Sequence, residues 1–315
     1  MTDAAITITS GDFNGTFLSA FSQTLAATGG TPPYTWSVTA GGLPAGLQLN
    51  SATGVISGTP SSPSGITRVL FTATDARGQS GSKTIAITIN LPPAPVTSIS
   101  LGSTTQPTVG LSTGTSYPVD ITGVLTLTFA SSVGGTGEES RFAPSGSRTL
   151  SFTVPANTTQ ATFQTANAAI ITGTVAGTIT LTASMSATGQ NITPSPAPTR
   201  TITVDAAVPV ITSVTLQQAT GGINVVVQGY SNTREVSSGS FTFSVSSGNT
   251  LSQATLTVPL TSAYTTWFNN SASNATGGQF RLTVPFSVTG SATAVTKVSV
   301  TLTNSKGASI PASSP

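Results

Sequence analysis

"LPAGLQLNSATGVISGTP", residues 43–60, decides the fold. Two short apolar runs flank a turn, and no side chain in the stretch ionises near neutral pH. Leu47 and Leu49 share a parity, so an extended chain points both to one face. "NSATG" (50–54) reads as a hairpin connection in which Gly54 supplies the positive φ. Val55 and Ile56 open the return strand, Ile56 turned inward, and Gly58 and Pro60 end it. The phrase specifies a hairpin with one apolar and one wet face.

The same grammar runs through the chain. "AAITITS" (4–10), "KTIAITIN" (83–90), "VLTLTFA" (124–130), "TITLTAS" (178–184), "RTITVD" (200–205), "SFTFSVS" (240–246) and "TKVSVTLTN" (296–304) all alternate with period two. Thr and Ser occupy one face, and Ile, Val, Leu and Phe the other. Threonine suits this role because its β-branch is stiff when extended and its hydroxyl can face water. Gly, Pro, Asn and Ser clusters punctuate the runs at the spacing of a sandwich or barrel. The fold class is all-β.

Composition narrows the function. The 315 residues carry 10 Lys+Arg and 8 Asp+Glu, with neither His nor Cys. Charge at 6% lies far below the roughly 25% usual for soluble domains, so hydroxyls and amides must keep the surface wet. Hydrophobic residues reach 37% and the net charge is +2, the profile of a folded chain. The basic residues never form a run, which excludes nucleic acid as a partner. Without Cys there is no disulfide. No segment approaches the ~20 apolar residues of a membrane helix, so no membrane span is expected. "MTDAAITITSG" lacks the basic and apolar regions of a signal peptide. Low charge with abundant Thr, Ser and Gly reads as extracellular or cell-surface, so Met1 is expected to begin a processed or expressed piece of a longer chain.

Two proline-bearing joints, "NLPPAPV" (90–96) and "DAAVPV" (205–210), divide the sequence. Each is followed by an echo, "VTSISL" (96–101) and "ITSVTL" (211–216), as if two modules opened with the same strand. Proline keeps such joints extended. The expected domains are 1–93, 94–206 and 207–315, strung as beads.

Residues 5–90 resemble the bacterial Putative-Ig, cadherin-like (dystroglycan-type) family. The resemblance rests on "FSQTLAATGGTPPYTWSV" (21–38), "GGLPAGLQLNSATGVISGTP" (41–60), "VLFTATDARGQSGSKTIAITI" (69–89) and their order. It implies a seven-strand sandwich used in tandem on secreted and surface-attached bacterial proteins, and it implies no enzyme. Trp36, sharing a parity with Tyr34, is expected in its core. The third module resembles modules that recur near the ends of large bacterial secreted proteins, through "VQGYSNTREVSSGSFTFSV" (227–245), "AYTTWFNNSAS" (263–273) and "FRLTVPFSV" (280–288). The whole is then three tandem Ig-like β-sandwiches joined by short Pro-containing linkers.

Reactive chemistry is scarce. Ser-His-Asp and Cys-His catalysis cannot be built without His or Cys, and zinc loses its best ligands. The adjacent acids Glu138 and Glu139 read as a solvated loop tip. No catalytic residue and no cofactor are expected. Cadherin-like relatives often bind calcium; of Asp3, Asp12 and Asp75, which form no acidic cluster like that of the calcium-binding members, Asp12 and Asp75 are the metal candidates. Alternatively Asp75 caps the turn "DARGQSG" through its own backbone. Tyr264, Trp267 and Asn269 in "SAYTTWFNNS" are candidates for a glycan platform; the alternative is a strand carrying its core tryptophan. Arg234–Glu235 reads as an exposed ion pair.

These readings point to a non-enzymatic extracellular module array: a stalk, spacer or adhesin segment. A glycan- or surface-binding module acting through the third domain is the first alternative. A self-assembling filament subunit, pairing through edge strands such as "AAITITS", is the second. Partners are therefore protein or glycan on a surface, or copies of the chain itself.

Overall fold

Alternating Thr/Ser with Val, Ile, Leu and Phe yields strand after strand with one buried and one wet face. The computed structural model describes residues 4–102, 106–134, 139–143, 145–165 and 168–315; Asp3 and Glu138 lie outside the described residues. Several distinct sheets form Ig-like β-sandwiches. The chain divides into two units, one of residues 1–95 with 188–192, the other of residues 96–187 and 193–315.

In the first unit, a four-stranded sheet runs in the order Phe13–Thr16, Ser80–Asn90, Gly65–Thr74, Thr35–Ala40. Its first pair is parallel and the others antiparallel. A three-stranded sheet contains Phe21–Thr24, Val55–Gly58 and Leu47–Leu49. Trp36, Ile56, Val69, Phe71, Ile85, Ile87 and Ile89 are buried. Each large aliphatic among them contributes about 1.5–3 kcal/mol relative to an exposed position.

Within this unit, residues 43–60 form the expected hairpin, pairing Leu47 with Gly58 and Leu49 with Ile56. Leu47 is buried and Leu49 half-buried. The Asn50 Oδ1 accepts the amides of Ala52 (3.0 Å) and Thr53 (3.2 Å), closing the turn. Gly54 has φ 71°, and a Cβ there would lie 2.8 Å from the Trp36 indole nitrogen. The turn residue therefore serves the core as well as the loop.

The second unit contains two sets of strands. In the first set, Thr162–Phe163, Thr149–Val154, Ile121–Ser131, Gly177–Ala187 and Thr199–Val204 join one sheet. Two separate pairs are Thr97–Leu101 with Val109–Thr113, and Arg141–Ala143 with Ala169–Ile171. In the second set, Val210–Ala219, Gly222–Tyr230 and Gln279–Ser287 form a three-stranded sheet. Thr255–Pro259, Ser238–Val245 and Val295–Asn304 build another, with the short strands Gly307–Ala308 and Ala312–Ser313 on Val295–Asn304. Val225, Phe241, Val298, Val300 and Leu302 are fully buried between them.

Exposed faces are stitched by hydroxyls where other proteins use ions. Thr39 bonds Thr72 at 2.9 Å and Thr72 bonds Ser82 at 2.7 Å. Ser98 with Ser112, Thr122 with Ser186 and Thr242 with Thr255 repeat the device at 2.9–3.0 Å.

Two local expectations change. First, "SAYTTWFNNS" is not a strand: Thr261–Asn269 is an α-helix, continued by a 3₁₀ turn over Ser271–Thr276. Tyr264 and Phe268, four residues apart, both face the core, and this helical spacing overrides the strand propensity of the threonines. Second, the "DAAVPV" joint is not a free link between beads. The Asn232 amide donates to Asp205 O (2.7 Å) while its oxygen accepts from Ala207 N (2.8 Å). Asn304 Nδ2 donates to Ala207 O at 2.9 Å. The side chains of Asn232 and Asn304 thus hold Asp205 and Ala207 of the joint.

Candidate functional site

A buried polar cluster of the second unit lies where its two sets of strands meet. It is built on two residues that read from sequence as solvated. Arg234 follows the strand Gly222–Tyr230 in a tight turn, itself at φ 54°, and its side chain is only 9% exposed. One guanidinium nitrogen donates to Gly277 O at 2.7 Å, another to Phe268 O and to Ser273 Oγ at 2.9 Å. Its flat face lies 5.0 Å from the Phe268 ring centroid. The cation therefore satisfies a carbonyl of the helix's last turn, where the helix dipole favours positive charge. Burial lowers the Arg234 pKa from its ordinary value, and the charge of Glu139 opposes that effect. The expected ion pair with Glu235 gives way to this arrangement; Glu235 instead accepts the amide and hydroxyl of Ser305.

Glu139 is 8% exposed, so it is no solvated loop tip. Its Oε1 accepts the amide and hydroxyl of Thr174 (2.6 Å from the hydroxyl), and its Oε2 lies 3.5 Å from the amide nitrogen of Gln279. The Thr174 hydroxyl in turn accepts the Gly278 amide at 2.9 Å. Gly277, at φ 63°, passes so close that a Cβ would collide with the Glu139 carboxylate. An acid from residues 96–187 and a cation from residues 193–315 are thereby buried in one network. Neither was visible as a cluster in the sequence, because 95 residues separate them; the hint was the pair of glycines at 277–278.

A groove of about 610 Å³ opens beside this seam, lined by Thr174, Thr212, Gln228, Tyr230, Trp267 and Arg281 among others. Trp267 is 36% exposed, and its indole nitrogen donates to Gln279 O at 3.1 Å. Of the glycan candidates, Trp267 faces this groove. Tyr264 is buried, with its hydroxyl lacking a hydrogen-bond partner among the described residues, and burial pushes its pKa up. Tyr264 and Trp267 share the wall of a smaller cleft of about 120 Å³. Asn269 ends the helix exposed and lines neither hollow, while its neighbour Asn270 caps the 3₁₀ turn through Ala272 N.

In the first unit, Asp75 is buried and both its oxygens are occupied by amides. Oδ2 accepts Thr31 N at 2.9 Å, and Oδ1 accepts Arg77 N and Gln79 N, each at 2.9 Å. The Thr31 amide above all, with those of Gln79 and Arg77, holds the carboxyl below its ordinary 3.8, against the opposing effect of burial. Asp12 Oδ1 accepts Ala86 N at 2.8 Å, so the two aspartates serve different backbone segments. Among the described residues there is no group of three or more His, Cys, Asp or Glu that could hold a metal ion. Nor is any helix among them long and apolar enough to cross a membrane.

Comparison with known proteins gives two family matches. The model described as Putative Ig domain matches residues 4–90. The model described as Fimbrillin-A associated anchor proteins Mfa1 and Mfa2 matches residues 128–313, which spans the proline joint at 205–210. No curated protein matches the sequence. Solved structures with some likeness include the protocadherin GammaB4 extracellular domain, 12% identical over 99% of this chain and 49% of that one, with a TM-score of 0.29. The human desmocollin-1 ectodomain is 10% identical over 99% of this chain and 78% of that one, at 0.28. Protocadherin gamma B7 domains 1–4 give 12% identity over 64% of this chain, again at 0.28. The chain spans about half the length of these protocadherin structures (50% and 49%). TM-scores this low carry no weight for function.

Proposed function

The chain belongs to the family of fimbrillin-A associated anchor proteins Mfa1 and Mfa2, and from that membership we propose that it is a non-enzymatic, extracellular anchor or adhesion subunit of a bacterial fimbria. The match over residues 128–313 is the observation that carries this reading. The buried Glu139–Thr174–Gly278 and Arg234 contacts support it, since they make residues on both sides of the joint one load-transmitting body. Three sandwiches, at 1–93, 94–206 and 207–315, carry the role: the first is a spacer, and the other two hold the fimbrial partner, itself protein.

Deletion of the gene in its source strain tests this directly. Electron microscopy of the mutant is expected to show fimbriae shed into the medium or changed in length, with restoration by the wild-type gene. Fimbriae unchanged in number, length and attachment would overturn the proposal. Surface exposure is checked separately by biotinylating intact cells with a membrane-impermeant amine reagent, which should label the protein.

A further inference from the structure

We propose that the groove beside Trp267 is a binding site for a carboxylated saccharide. This goes beyond the anchoring role and does not depend on it. The floor is the wet face of the three-stranded sheet, where Gln228 pairs with Arg281 and Tyr230 with Gln279 across two strands. Residues two apart on a strand share a face, so Gln228, Tyr230, Gln279 and Arg281 form one square patch. Ser213 pairs with Gln228 on the far side and donates to its Oε1 at 3.3 Å, which orients that amide. The wall is the indole of Trp267, held upright by its bond to Gln279 O and exposed to solvent.

Each part has a role toward such a ligand. An exposed, fixed indole offers an apolar face for the C–H side of a pyranose ring. The amides of Gln228 and Gln279 donate to and accept from hydroxyls. The Arg281 guanidinium has no hydrogen-bond or ion-pair partner among the described residues, and the lining residues include no acid, Glu139 lying behind Gln279 and Thr174. In a chain with so few charges, a free guanidinium beside an aromatic platform selects an anion of planar, bidentate shape: a carboxylate. The volume, about 610 Å³, lies within the roughly 300–1,000 Å³ of small-ligand sites. Uronic and sialic acids share the needed chemistry.

The test is titration of the intact chain with 3′-sialyllactose, a glucuronate-containing disaccharide and lactose, followed by tryptophan fluorescence and calorimetry. The chain has two tryptophans, and Trp36 is buried in the other unit, so a ligand-induced change reports on Trp267. Saturable binding of one or both acidic sugars is expected, with lactose weaker. Arg281→Gln, an exposed change, should weaken the acidic sugar by about 10–100-fold, the value of a charge-assisted bond, and bring it level with lactose. Trp267→Phe should lose the fluorescence response and most affinity, with Trp267→Ala checked by circular dichroism for folding. Equal binding of lactose and the acids, or binding unaltered by Arg281→Gln, would overturn the assignment, as would no binding of any of the three. Preference between sialate and glucuronate identifies the source of the carboxylate.

Discussion

Arg234 shows how much a single residue can hold. It answers a carbonyl of the helix, a carbonyl of the Gly277 turn and the Ser273 hydroxyl at once, so truncation leaves several buried groups without partners. Arg234→Ala should destabilise the second unit by about 3 kcal/mol, read as a shift in the urea midpoint, and Arg234→Lys should recover only part because ammonium lacks the planar fork. Gly54 holds the first unit in a different way: at φ 71° with Trp36 against it, Gly54→Ala should cost about 1–3 kcal/mol. Asp75 sets that unit's response to acid. Its folded pKa lies below the ordinary 3.8, so its contribution is complete above the unfolded value and is lost as pH falls through the folded one. Asp75→Asn should lower the melting temperature at neutral pH and flatten the decline expected of the wild type below about pH 3.8. A mutant with the wild type's acid limb would show that the carboxylate charge plays no such part. The occupied oxygens of Asp75 also leave little for a cation, so calcium added after chelation should leave this melting temperature unmoved.

At the scale of elements, the helix Thr261–Asn269 is the instructive case. Its sequence is rich in residues that favour strands, and its first turn carries no acid and its last no base of its own. It persists because Tyr264 and Phe268 bury against the core and Arg234 serves its end. Tyr264 contributes through its ring, which meets Phe280 edge-on at 5.0 Å, while its hydroxyl is buried without a partner among the described residues. Tyr264→Phe should therefore be neutral or stabilising by up to about 1 kcal/mol; a marked loss on thermal melting would mean that the hydroxyl matters. The strands were legible because period-two alternation is local and strong: "KTIAITIN" lies in Ser80–Asn90 and "VLTLTFA" in Ile121–Ser131. The helix was not, because only its four-residue Tyr–Phe spacing opposes a strand pattern, and the residue that stabilises its end lies 34 positions away. The Glu139 network was hidden for the same reason. Nothing next to Glu139 in sequence says that Thr174 and Gly277 will enclose it.

For the whole molecule, the division into two units predicts how it melts. Scanning calorimetry should resolve two transitions, with Asp75→Asn moving one and Arg234→Ala the other; a single transition shifted by both would contradict that independence. Residues on the two sides of the 205–210 joint should unfold together, since Asn232 and Asn304 fasten it. Sequence alone reads that joint as a spacer, because proline and alanine look the same whether or not asparagines from elsewhere reach them. The hydroxyl pairs across the exposed sheet faces have a consequence for the surface as well. Cross-links such as Thr72 to Ser82 carry no charge for salt to screen. They also leave a surface with few cleavage points: 10 Lys+Arg in 315 residues, Arg234 among them buried. A protein so dressed offers trypsin-like enzymes little purchase, and should outlast ordinary soluble domains under trypsin in high salt without a single disulfide.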